Sequence, residues 1–238
     1  MITYVDVPHL GRVRVSQRAG TRSMRISLHQ TGEVRLSLPP RVSIQKGIDF
    51  LLQKKTWILQ HKNETTTLQG GARIGNAHTL RIVPSEKKSF RSYVTENQLI
   101  TYVPNHLAED KVQEKIMDAA KKLLQTLAEK NIPARVQHIQ KELGYSVRSI
   151  EIKALQSRWG SCSSKNDLIF NVYLMQLPWH LIDYVIYHEL AHTKHHDHST
   201  AFWQEVASNI PDYKERRRIL KKYPTAIFDT SDFAKFVA

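Results

Sequence analysis

The segment His188-Glu189-Leu190-Ala191-His192 constrains this chain more tightly than any other. An α-helix turns once in about 3.6 residues, so positions i and i+4 lie on one face. On a helix, His188 and His192 therefore aim two imidazoles at a single point, with Glu189 beside them. His-Glu-x-x-His in that setting is a zinc-hydrolase signature: the histidines hold Zn2+ and the carboxylate takes a proton from water. The pattern demands a helix over 188–192 and a core that holds it. It also demands a further ligand, because catalytic zinc has about three protein ligands and one open position.

Four residues compete for that third place: His195, His196, His198 and Glu205. His195 is seven residues from His188, and a helix rising about 1.5 Å per residue would separate them by roughly 10 Å. Ligand nitrogens sit about 2.0–2.1 Å from zinc, so these two cannot share one ion on a continuing helix, and His196 fails for the same reason. The helix must end near His192 and the chain must turn back. His198 then fits, since its interval from His192 matches the spacing H-E-x-x-H-x-x-G-x-x-H. His195 occupies the place of the glycine, so the turn is expected at His195, His196 or Asp197, types that tolerate left-handed backbone. Ser199 reads as the N-cap of the next helix. Glu205, on that helix, is the alternative ligand. A bare H-E-x-x-H also arises by chance on ordinary helices. Six of the twelve histidines fall between His180 and His198, and this enrichment favours a metal site. His180, His195 and His196 are expected to be surface or supporting groups.

The rest of the chain bounds the setting. Its 238 residues suffice for one large or two small cores. The single cysteine, Cys162, excludes an intrachain disulfide and a cysteine-rich zinc site. No run of about 20 apolar residues is present, and the first residues do not read as a signal peptide, so no membrane partner and a cytoplasmic location are expected. The net charge of +13 favours anionic partners. Basic residues gather at Arg12, Arg14, Arg18, Arg22 and Arg25, and again at Arg216, Arg217, Arg218, Lys221 and Lys222. Aromatic residues are not interleaved with these clusters. A solvated basic face, with only weak and non-specific nucleic-acid binding, is the favoured reading, and the second cluster is expected to lie apart from the metal.

Periodicity predicts an α+β fold. Val13/Val15, Met24/Ile26/Leu28 and Val34/Leu36/Leu38 alternate as half-buried strands, the last two joined by a hairpin at Gln30-Thr31-Gly32. Ile44 to Ile58 has helical spacing, and strands are expected near Leu80–Ile82 and from Phe90 to Val103, with a turn at Glu96-Asn97. These make a β-rich N-terminal module over 1–105. The region 106–238 is then a zincin-like, metal-dependent hydrolase domain. It comprises a helix from Leu107 to Lys130, a second helix started by Pro133 and stopped at Gly144, a strand with Ile150 and Ile152, and a strand from Leu168 to Leu174. Pro178 opens the H-E-x-x-H helix, and two short helices follow.

Several motifs frame this helix: Arg158-Trp159-Gly160-Ser161-Cys162-Ser163, Leu168-Ile169-Phe170-Asn171, Ile182-Asp183-Tyr184-Val185, His198-Ser199 and Phe202-Trp203. In this order and spacing the chain resembles the YgjP-like zinc metallopeptidases, relatives of the SprT-like zincins, from roughly Arg22 to Pro224. The resemblance implies His188, His192 and His198 as zinc ligands and Glu189 as the catalytic carboxylate. It differs at Lys165-Asn166-Asp167, where the family often has Lys-Gly-Asn, and at Asp197, where Asn is common.

Function is therefore read first as a peptide hydrolase acting on peptide or protein. Two alternatives come with the resemblance: a UTP-type nucleotide pyrophosphohydrolase acting on a nucleoside triphosphate, and a nucleic-acid-associated protease or zinc-containing binding module. No G-x-x-x-x-G-K-[ST] phosphate loop supports the nucleotide reading. The Arg158–Ser163 segment reads equally as a substrate-contacting element and as a structural turn around Trp159. Arg158 and Tyr173 are candidate oxyanion supports, and Cys162 is not expected to be a nucleophile.

Overall fold

The computed structural model describes residues 2–28, 33–62 and 67–232. The fold is mixed α+β, and it divides into two compact units, Met1–Thr67 and Leu68–Ala238.

The first unit is one sheet backed by two helices. Its strands are β1 (Ile2–Val7), β2 (Gly11–Gln17), β3 (Arg25–Leu28) and β4 (Val34–Leu38), in the order β1-β2-β4-β3. Alternation sorts the faces: Val13, Val15, Val34, Leu36 and Leu38 are buried with Leu51 of α1 (Ile44–Gln53) and Ile58 of α2 (Lys55–Lys62). Gly47 lets α1 lie close on the sheet, since a Cβ there would stand 2.7 Å from a Leu36 methyl. The other face carries Tyr4, Arg12, Arg14, Arg25 and Arg35, with the Arg12 guanidinium 4.6 Å above the Tyr4 ring. The Gln30-Thr31-Gly32 turn lies outside the described residues, but β3 and β4, which it was expected to join, are antiparallel neighbours.

The second unit holds two sheets around one long helix. One sheet runs β5 (Arg73–Ile74), β6 (His78–Ser85), β8 (Gln98–Pro104), β7 (Arg91–Val94) in spatial order. The other runs β10 (Gly160–Cys162), β11 (Asp167–Asn171), β9 (Ser149–Lys153). Leu80 and Leu99 share a core with Ile116, Leu123 and Leu124 of α3 (Glu109–Leu143). Strands assigned by sequence to the N-terminal module thus pack with the helix that follows them, and the division falls after Thr67 rather than after residue 105. Alternation shows that a strand has an apolar face; it does not show which element covers that face.

Helix α3 runs unbroken through Pro133 to Gly144, whose left-handed φ of 69° caps it, where two helices were expected. Proline removes one helix hydrogen bond and crowds the preceding turn, at about 3 kcal/mol. Here Leu124, Ala128, Ile132, Val136 and Ile139 continue one buried stripe on both sides of it. Burial contributes about 1.5–3 kcal/mol for each large side chain, which outweighs the local penalty.

The strand expected over Leu168 to Leu174 stops at Asn171, and Val172–Gln176 form a buried 3-10 helix. The fully buried Asn171 side chain accepts from Tyr173 N at 3.2 Å and so turns the chain. Helix α4 (Trp179–Ala191) starts after Pro178, followed by α5 (Thr200–Asn209), capped by Ser199, and α6 (Tyr213–Leu220). Arg135 of α3 clamps α4 by donating two hydrogen bonds to Asp183, at 2.8 and 2.9 Å.

Candidate metal centre

Helix α4 delivers its histidines as the spacing requires. One ligand nitrogen each from His188, His192 and His198 can be chosen so that all three lie within 4.8 Å of one another. The His188 and His198 Nε2 atoms are 3.2 Å apart. Two nitrogens on a tetrahedral zinc, each about 2.0–2.1 Å from it, lie roughly 3.3 Å apart, so this pair fits an ion between them. His192 directs Nδ1 to the backbone carbonyl of His195 at 2.9 Å, which orients its other nitrogen toward the cluster. Burial and the neighbouring His192 and His198 hold His188 far below its ordinary value, at about 3, so it is the neutral imidazole that a metal requires.

The third histidine arrives by a different turn from the one expected. Thr193 N donates to Leu190 O, and Lys194 N and His195 N both donate to Ala191 O, so the helix tightens as it ends. Among the described residues only His9 and Asn166 are non-glycine positions with positive φ, so His195, His196 and Asp197 need no left-handed backbone. The Asp197 carboxylate accepts from Ser199 N at 3.1 Å and aligns the start of α5. From α5, Phe202 stacks on His192 at 4.4 Å and Trp203 on His198 at 5.5 Å. These rings fix an otherwise exposed imidazole. Glu205 lies outside the cluster: it accepts from Tyr145 Oη at 2.6 Å and from Lys194 Nζ at 2.9 Å.

Glu189 is 5 % exposed, beside the histidines rather than among them. Burial pushes its carboxyl up to about 8, with Arg158 pulling the other way. Such a group is poised to exchange protons near neutral pH.

A family model for the YgjP-like metallopeptidase domain matches residues 22–223. The chain belongs to this family. Among solved structures, the metallopeptidase zymogen abylysin of Pyrococcus abyssi is similar at 30 % identity, with a TM-score of 0.33, over 37 % of this chain and 90 % of that one. No curated protein matches the chain.

In this YgjP-like protein the Arg158–Ser163 segment supplies β10, which borders α4. A Cβ on Gly160 would stand 2.7 Å from both Cγ and Oε1 of Glu189, so only glycine permits this approach. Asn171 holds the approach to β10: its Nδ2 donates to Leu155 O at 2.8 Å and to Arg158 O at 2.9 Å. Neither role was legible in the sequence, because nothing local says that a glycine 29 positions away meets the motif carboxylate. Tyr173, proposed as an oxyanion support, is 2 % exposed and belongs to the core. Arg158 is exposed and acts electrostatically on Glu189. Asn166 takes φ 62° in the turn after β10, a left-handed position that asparagine tolerates.

The Arg216–Arg218 run is not one free patch. Arg216 pairs with Asp212 and Arg218 with Glu215, whereas Arg217 lies 5.0 Å over Trp203, the ring that backs His198. One arginine of the run, expected to lie apart from the metal, therefore backs the histidine cluster.

Cys162 is half-buried, and burial, with Glu189 adding to it, pushes its thiol up to about 11. At pH 7 it is a thiol and a poor nucleophile. Cys162→Ala is expected to keep activity within about twofold. Alkylation by iodoacetamide at neutral pH should be slower than that of a free cysteine, and fast labelling coupled to inactivation would contradict this.

Proposed function

We propose that the chain is a zinc-dependent peptidase in which His188, His192 and His198 hold the ion and Glu189 is the general base. The observation that carries this reading is the convergence of three imidazoles at ligand spacing, next to one buried carboxylate. Membership of a metallopeptidase family supports the reaction class, a peptide or protein being the substrate. A zinc ion held by these three histidines would supply a Lewis acid and make water a nucleophile near neutral pH. Glu189 accepts the proton of the attacking water and returns it to the departing amine. Gly160 leaves room for that carboxylate, and Arg158 biases it toward its ionised, proton-accepting form. No helix among the described residues is long and apolar enough to cross a membrane.

The test is a parallel assay of zinc-loaded wild type and Glu189→Gln on unfolded proteins and on nucleoside triphosphates. Proteolysis that disappears in the variant supports the reading. Triphosphate hydrolysis that disappears in the variant, without proteolysis, overturns it in favour of a nucleotide hydrolase.

Gly160 gives a sharper prediction. Gly160→Ala places a methyl where Glu189 Cγ and Oε1 already stand. A catalytic group displaced by about 1 Å loses on the order of 10²-fold in rate. The variant is therefore expected to bind zinc with unchanged stoichiometry and to lose roughly 10- to 100-fold in kcat. Full activity would show that Glu189 is not held by this contact.

A further inference from the structure

The sheet of β5, β6, β8 and β7 has one face in the core, with Leu80 and Leu99, and one face in solvent. On the solvent face the pairing register sets Val83, Tyr102 and Arg91 in one row and Arg81, Ile100 and Tyr93 in the next. Rows two residues apart are separated by about 6.8 Å and neighbouring strands by about 4.8 Å, so arginines and tyrosines alternate over a few ångströms. Tyr93 is 52 % and Tyr102 36 % exposed, their ring centroids 5.8 Å apart and their planes nearly perpendicular. Both rings line an open cleft of about 640 Å³ with Pro84, Glu86, Lys87 and Arg91. Lys88 stands on the same loop between β6 and β7.

The charges here are free. Arg81, Lys87, Lys88 and Arg91 are all exposed, and none has an ion-pair partner among the described residues. Glu86 is the acidic residue of the cleft. This contrasts with Arg216 and Arg218, which their own helix neutralises. It also supplies what both basic runs lack in the sequence: aromatic and basic side chains interleaved on one surface, here assembled from three strands.

We propose that this face binds single-stranded nucleic acid, with bases stacking on Tyr93 and Tyr102 and phosphates lying on Arg81, Arg91, Lys87 and Lys88. A positive groove lined with exposed rings is the recurring chemistry of single-strand binding, because every base offers a π-face and every nucleotide a charge. Duplex DNA keeps its bases stacked and cannot use the tyrosines. An acidic peptide could use the cations but gains little from two rings.

The experiment is fluorescence anisotropy of the full zinc-loaded chain with a labelled oligothymidylate of about 20 nucleotides, long enough for the roughly 4–16 nucleotides that a single-strand site covers. A duplex of equal length and polyglutamate serve as competitors. Stacking is worth about 1–3 kcal/mol per base, so Tyr93→Ala/Tyr102→Ala is expected to raise Kd at least about tenfold. Tyr93→Phe/Tyr102→Phe should retain affinity within about twofold, since the rings remain. Arg81→Ala/Arg91→Ala should weaken binding and flatten the salt dependence by about 0.7 in slope for each phosphate no longer neutralised. All these positions are exposed, so zinc content and circular dichroism should match wild type. The proposal is overturned by absence of binding at low salt, by unchanged affinity in the tyrosine-to-alanine variant, or by competition from duplex or polyglutamate as effective as that from the single strand. Loss of binding on Arg12→Ala/Arg14→Ala alone would move the surface to the first unit's basic face and equally overturn it.

Discussion

Glu189→Gln should leave zinc binding intact and reduce peptide hydrolysis by about 10²–10⁴-fold or more, the scale of general acid–base catalysis. The amide preserves the shape that Gly160 accommodates but cannot accept the proton of the attacking water. The same substitution carries a signature in stability. Burial raises the Glu189 carboxyl to about 8, so the folded chain favours the protonated form. The stabilisation from holding that proton is complete in acid, below the ordinary carboxylate range, and is lost as pH rises through about 8. After chelation of metal, Glu189→Gln should therefore raise Tm over wild type more at pH 8 than at about pH 5. Zinc loading should remove most of that difference, because a nearby dication favours the carboxylate. Wild-type turnover in Glu189→Gln would remove this carboxylate from the mechanism altogether.

His198→Ala carries the second large effect. It deletes one of three imidazoles whose nitrogens converge within 4.8 Å. Changes behind a ligand already cost 10–100-fold in metal affinity, so losing the ligand itself should cost at least about 100-fold. Glu205→Ala is the matching control. That carboxylate is engaged by Tyr145 and Lys194, and its removal should change zinc affinity by less than about tenfold. Competition with a chromogenic chelator measures both. The opposite ranking, with Glu205→Ala stripping the ion and His198→Ala retaining it, would make Glu205 the third ligand.

The sequence exposed the site more fully than the frame around it. Helical geometry alone carried His188 and His192 to one face with Glu189 beside them, and the reach of a zinc ligand excluded His195 and His196. Both are local arguments, and the structure brings His188, His192 and His198 together. What lay hidden was tertiary. Pro133 reads as a helix start because its local cost is visible in sequence, while the buried stripe that overrides it is only completed by packing. Val172 and Leu174 alternate like strand residues, yet Asn171 turns the chain with its own side chain. Gly160 and Arg217 meet Glu189 and Trp203 across long sequence separations, and no local pattern announces either contact. The turn after His192 was expected from residue types that tolerate left-handed backbone, whereas carbonyls at the end of α4 already supply right-handed bonds.

The most direct test of the central claim is a zinc titration of chelated protein, following peptide-bond cleavage and bound metal together. Cleavage of an unfolded protein substrate is expected to rise in proportion to bound zinc and to saturate at about one ion per chain, the occupancy of a site with three protein ligands. Cleavage that persists without zinc, or a fully zinc-loaded chain that cleaves no peptide bond while Glu189 is intact, would contradict it.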